Sequence, residues 1–186
     1  MRFALFGKEF QAGKTVSIHR LIDSLKARGA EIYIERTFFQ YITSALGMEV
    51  EVSGVFDNYN FDVDFVISIG GDGTFLRAAS MVGSKGTPII GVNTGRLGFL
   101  ADIHPDEIDH AIAEIADGHY AVEPHAVIMV EADGEIIEGS PFALNDIAVL
   151  KRDNAAMISV RTCINGEISP ISSRNSVPPS ACSKRP

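Results

Sequence analysis

An apolar run that ends in a glycine-rich turn constrains this chain more than any other stretch. Phe65-Val66-Ile67-Ser68-Ile69 leads into Gly70-Gly71-Asp72-Gly73-Thr74, and Phe75-Leu76-Arg77-Ala78-Ala79 follows. A short run rich in β-branched and aromatic residues, then glycines, then helix formers, reads as buried strand, tight turn and helix start. Such a turn falls where an open α/β sheet presents its ligand-binding crevice. Glycines let the backbone approach a bulky anion, because no Cβ blocks the way and φ > 0 costs little. N–H groups at the helix start then favour phosphate. Asp72 is the anomaly. A carboxylate among anion-binding amides repels phosphate unless it takes a proton from a hydroxyl or holds a metal, and nucleotide phosphoryl transfer needs such a group. The same five residues also fit a glycine turn with an N-cap Asp, a common device in α/β proteins.

A second apolar run, Pro88-Ile89-Ile90-Gly91-Val92, enters Asn93-Thr94-Gly95-Arg96-Leu97-Gly98-Phe99-Leu100, and Ala143-Leu144-Asn145-Asp146 lies further along. With these three motifs in this order, the chain from Met1 to about Glu167 closely resembles the NAD kinases, which phosphorylate NAD to NADP. In that family the Gly-Gly-Asp-Gly segment binds the nucleotide, its Asp is the proton acceptor, and the Asn-acid pair contacts bound NAD. The resemblance thus implies Asp72 as proton acceptor, Asp72 and Gly73 as nucleotide contacts, and Asn145 and Asp146 as NAD contacts. It also implies ATP as phosphate donor, NAD as substrate, and Mg²⁺ or another divalent cation. Diacylglycerol and sphingosine kinases and phosphofructokinases resemble this chain in the Gly-Gly-Asp-Gly turn. They lack the Asn93–Leu100 segment in this form and the Asn145-Asp146 pair as placed here.

Two further residues are drawn into the same reading. Arg77 lies a turn into the helix after Gly73, near enough to meet a phosphate of either nucleotide, and an exposed helix arginine fits the position equally well. Phe99, with Leu100, closes the second motif and either flanks an adenine ring or joins the core, the commoner fate of such residues. Gly7-Lys8-Glu9-Phe10-Gln11-Ala12-Gly13-Lys14-Thr15 invites a P-loop reading, but its glycines are spaced one residue too widely, so it reads as a strand-to-helix loop. His19, His104, His110, His119 and His125 show no zinc spacing, and Cys163 and Cys182 form no C-x-x-C pair.

Residues 1–118 alternate strand-like and helical stretches, the pattern of a Rossmann-like α/β domain with a parallel sheet covered by helices. Strands are expected at Phe3–Phe6 and Glu31–Ile34 besides the two that carry glycine motifs, and helices at Thr15–Arg28, Thr37–Leu46 and Glu107–Ala116. Glu49–Asn60 is undecided. Residues 119–167 change to short β segments: Tyr120–Glu123, Val127–Glu131, Glu135–Glu138, Phe142–Val149 and Met157–Ile164, with Asp133-Gly134 as a hairpin turn. They read as an incomplete, mainly antiparallel β domain, and the ligand is expected between the two domains. Residues 168–186 are rich in Ser and Pro without one acidic residue. Such a tail cannot bury enough surface to offset its conformational entropy and is expected to be disordered or poorly packed.

The family continues after this point with an Asp-Gly pair and a Thr-Pro-Thr-Gly-Ser-Thr-Ala-Tyr segment that the chain lacks. The break in composition suggests a frameshifted or truncated reading frame, although a splice-like variant or an artefact would look the same. A second reading follows: a non-catalytic nucleotide-binding remnant of the family. The family's homo-oligomeric assembly is likewise open for this chain. A net charge of −8 argues against nucleic acid and anionic membranes as partners. No apolar stretch reaches the roughly 18 residues of a membrane span, and the first residues read as a strand instead of a signal peptide, so a cytoplasmic location is expected.

Overall fold

The computed structural model describes residues 1–8, 15–58, 60–95, 98–129, 141–144, 146, 160–164 and 167–171. The chain forms two compact units, Met1–Pro124 and His125–Pro186.

In the first unit, β1 (Arg2–Gly7), α1 (Thr15–Lys26), β2 (Glu31–Glu35), α2 (Arg36–Gln40) and β3 (Gly54–Phe56) are followed by β4 (Phe65–Gly70), α3 (Asp72–Val82), β5 (Ile89–Asn93) and α4 (Ile108–Ala116). The five strands form one parallel sheet in the order β3-β2-β1-β4-β5. From β1 the chain winds outward through β2 to β3, then returns to the other side of β1 for β4 and β5. The winding therefore reverses between β1 and β4, and an open α/β sheet places its crevice at the carboxyl ends of strands at such a reversal.

Helices cover both faces, which is why the strands read as near-continuous apolar runs. All six residues of β4 are buried. On one face, Ile18, Leu21, Ile22 and Leu25 of α1 and Ile108, Ile112 and Ile115 of α4 pack on Phe3, Leu5, Ile34 and Ile67. Their spacing is that of an amphipathic helix with its stripe turned to the sheet. On the other face, Ala78 and Val82 of α3 join Ala4, Phe6, Val66, Phe56, Phe61 and Val63. Three of these rings form a cluster, with centroids 5.3 Å apart for Phe6–Phe56, 5.9 Å for Phe6–Phe61 and 4.9 Å for Phe56–Phe61. The Lys85 ammonium lies 3.6 Å from the Phe61 ring centroid and donates to the Phe61 carbonyl, and burial lowers its pKa.

Two expectations change here. The undecided stretch before Asn60 contains β3, a three-residue edge strand too short to show a period. Tyr120–Glu123 forms no strand. The Tyr120 ring packs in a T-shaped arrangement with Phe65, with centroids 5.3 Å apart.

In the second unit, β6 (Ile128–Met129) pairs antiparallel with β7 (Phe142–Ala143), and β8 (Val160–Ile164) pairs antiparallel with β9 (Glu167–Ile171). The β8–β9 pairing carries regular backbone into the stretch read from composition as unable to pack. The rest of that stretch, residues 172–186, lies outside the described residues. Asp133-Gly134 lies outside the described residues.

Candidate functional site

β4 ends at Gly70, Gly71 is the extended N-cap residue with φ −114° and ψ −168°, and α3 begins at Asp72. Neither Gly71 nor Gly73 adopts a positive φ. The alternative reading of a glycine turn with an N-cap Asp is therefore corrected, since Gly71 is the N-cap residue and Asp72 opens the helix. A Cβ added at either glycine would meet no atom within 4 Å. Among the described residues no neighbour requires glycine there, and the backbone stands open to close approach.

The second motif folds back onto the first. After β5 the chain returns beside its own strand: Ile103 donates to the Gly91 carbonyl at 3.0 Å, and Asn93 donates to the Ile103 carbonyl at 2.8 Å. Gly91 makes this possible, because a Cβ there would lie 2.6 Å from Ala101 Cα. The returning segment lays its amides on Asp72. Phe99 N–H donates to Asp72 Oδ2 at 2.9 Å, while Leu100 and Ala101 N–H donate to Oδ1 at 3.0 and 3.4 Å. These bonds, Phe99 first and Leu100 next, hold the Asp72 pKa below its ordinary 3.8. The positive end of α3 favours the same ionised form. Gly98 passes so close that a Cβ would fall on the Asp72 carboxylate.

Arg77 reaches across the reversal in winding. Its Nη2 donates to the Gly7 carbonyl at the end of β1, at 2.6 Å, and lies 3.4 Å from Glu35 Oε2 at the end of β2. The carboxyl ends of β1, β2 and β4 are thus tied to the first turns of α3. Thr94 N–H adds a tie from the end of β5 to the Gly70 carbonyl at 3.0 Å.

Chemically, this is an ionised and oriented carboxylate beside open glycine backbone and a half-exposed guanidinium. A profile of the ATP-NAD kinase N-terminal domain matches residues 8–120. The chain belongs to the NAD kinase family. It is 51% identical over 166 residues to an NAD kinase of Bacteroides fragilis and 38% identical over 167 residues to one of Porphyromonas gingivalis. Each match covers 89% of this chain and 57% of the relative, so the chain spans little more than half of those NAD kinases. Among solved structures, an NAD kinase from Archaeoglobus fulgidus in complex with ATP aligns with TM-score 0.53 and 26% identity, over 91% of this chain and 56% of that one. Yeast NADH kinase complexed with NADH shares the fold, with TM-score 0.65 and 19% identity over 91% of this chain and 54% of that one.

Set against this NAD kinase fold, Asp72, Gly73, Arg77 and Phe99 all lie in the first unit around the end of β4. Phe99 is fully exposed and so does not join the core. Asp146 is an exposed residue of the second unit, and Asn145 lies outside the described residues, as does most of the P-loop-like segment after Lys8. Among the described residues, no His, Cys, Asp and Glu group has the makings of a metal cage. Sequence reasoning missed three participants: Gly98, Gly91 and Glu35. The glycines of the second motif were a visible signal for the first two; for Glu35 the sequence offered none.

Proposed function

We propose that this chain supplies the nucleotide crevice of an NAD kinase and transfers the terminal phosphoryl group of ATP to the adenosine ribose 2'-hydroxyl of NAD, giving NADP. One observation carries the reading: the Asp72 carboxylate stands where the winding of the sheet reverses, oriented by the amides of the second motif. The same amides that hold the Asp72 pKa below its ordinary 3.8 also weaken it as a base. In a loose phosphoryl-transfer transition state the attacking hydroxyl needs orientation more than early deprotonation, so an aimed acceptor suits the reaction. The open backbone at Gly71 and Gly73 would take phosphate oxygens, Arg77 would add a charge-assisted bond to one of them, and the exposed Phe99 ring would offer its face to a base. Asn145 and Asp146 would contact NAD.

Among the described residues no group of His, Cys, Asp and Glu makes a resident cage for Mg²⁺. The ion would arrive with ATP, held mainly by phosphate oxygens, and would neutralise the triphosphate. Small nucleotides are the proposed partners, in a cytoplasmic setting, and the family's homo-oligomeric assembly stays open for this chain. Among the described residues no helix is long and apolar enough to cross a membrane.

A second reading is a nucleotide-binding remnant without turnover; the chain spans little more than half of the NAD kinases it matches. A coupled assay of NADP formation from NAD, ATP and Mg²⁺, run beside calorimetric titrations with NAD and with ATP, separates the two. NADP formation supports the kinase, whereas binding without NADP supports the remnant. A chain that neither binds nor turns over would overturn both.

A further inference from the structure

We propose that Glu35 is a positioning residue that sets the Arg77 guanidinium at the mouth of the crevice, where it meets a nucleotide phosphate. The inference rests on the nucleotide-site reading above. Glu35 ends β2, and its Oε2 makes two contacts from one place. It accepts the Phe38 N–H at 3.0 Å, capping α2, and it lies 3.4 Å from Arg77 Nη2. The Glu35 side chain is only 12% exposed, against 41% for Arg77, so the carboxylate is the fixed partner and the guanidinium the one it steers.

Packing fixes that carboxylate further. Gly7 has no room for a Cβ because the Phe38 ring occupies the space, so the first turn of α2 sits directly on the end of β1. Phe38 itself is 1% exposed. The Gly7 carbonyl and Glu35 Oε2 therefore stand together as two acceptors for one nitrogen, Nη2. Arg36, the neighbouring cation, is engaged elsewhere, with its Nε 2.9 Å from Asp57 Oδ2. Both side-chain bonds of Arg77 among the described residues use Nη2, which leaves Nε and Nη1 without a partner there. A guanidinium pinned by one nitrogen presents its other donors in a fixed fork, the geometry that phosphate recognition uses. Pinning also removes rotamer freedom that binding would otherwise have to freeze.

The test is Glu35→Gln in the full chain, titrated calorimetrically with NAD and with ATP, with Arg77→Ala and the double variant alongside. Gln keeps an oxygen that can accept the Phe38 amide, so the α2 cap and the fold should survive. Removing a negative charge near an anion site should by itself tighten nucleotide binding. Positioning predicts the opposite: affinity for at least one of the two nucleotides falls about tenfold in Glu35→Gln, and Glu35→Gln has no further effect in the Arg77→Ala background. Unchanged or tighter binding in Glu35→Gln would overturn the positioning role and leave the nucleotide site standing. So would equal losses with and without Arg77. A wild-type chain that binds neither nucleotide would overturn the nucleotide-site reading and this role with it.

Discussion

A methyl group added at Gly98 would fall on the Asp72 carboxylate, whereas one added at Gly73 would meet no atom within 4 Å. The two positions should therefore respond in opposite ways. Gly98→Ala forces the loop and the carboxylate apart, at a cost of about 1–3 kcal/mol typical of overpacking, and should lower the melting temperature. Gly73→Ala replaces a helical glycine with a better helix former, so its melting temperature should hold or rise while nucleotide affinity falls. Equal affinity for wild type and Gly73→Ala, measured by titration, would show that the open backbone is not a binding surface. Protonation gives a second prediction at this scale. Asp72 and Asp64 both have pKa values below the ordinary 3.8, Asp72 through the loop amides and Asp64 chiefly through the Arg2 N–H. Because the folded-state values are the lower ones, their stabilisation is fully present above the unfolded value and is lost as pH falls through it toward the folded one. Denaturant melts taken from pH 6 down to about pH 3 should show stability dropping below about pH 4, with a shallower drop in Asp64→Asn. The sequence marked Asp72 as the unusual residue, yet its partners could not be read there. They are backbone amides of Phe99, Leu100 and Ala101, and a sequence displays side chains.

At the scale of elements, α3 sits between the site and the aromatic cluster. Its first turn carries Asp72, and Ala78 and Val82 pack against Phe6, Phe56 and Phe61. Phe6 is fully buried, so Phe6→Ala should destabilise the first unit by about 3–5 kcal/mol, read as a lower urea midpoint. A midpoint close to wild type would mean that the cluster does not anchor this face. The strand–turn–helix at β4 and α3, and the strand β5, were legible because buried parallel strands write continuous apolar runs that stop at glycine. The helical stripes of α1 and α4 were legible by their period. β3 was not, since three residues at a sheet edge carry no period. Tyr120–Glu123 was read as a strand, but a short apolar stretch serves packing as readily as pairing, and here Tyr120 packs on Phe65. Glu35 escaped notice because its task depends on Arg77, 42 positions away along the chain.

For the molecule as a whole, the order β3-β2-β1-β4-β5 matters more than any single motif. It brings the ends of β1, β2 and β4 to one edge, and there Gly7, Glu35, Asp72 and Arg77 converge from three elements, β1, β2 and α3. Membership in the NAD kinase family agrees with that convergence, while the chain spans little more than half of its relatives. The proposed chemistry therefore turns on whether the crevice of the first unit works in this chain. The most direct measurement is the initial rate of NADP formation by the wild-type chain and by Asp72→Asn, at saturating NAD, ATP and Mg²⁺, with melting curves on both. Asparagine keeps one oxygen for the Leu100 amide but cannot take up a proton. The account predicts turnover in the wild type, a loss of about 10²–10⁴-fold in the variant as expected for a general base, and two chains that both melt cooperatively. Undiminished turnover by Asp72→Asn would contradict it.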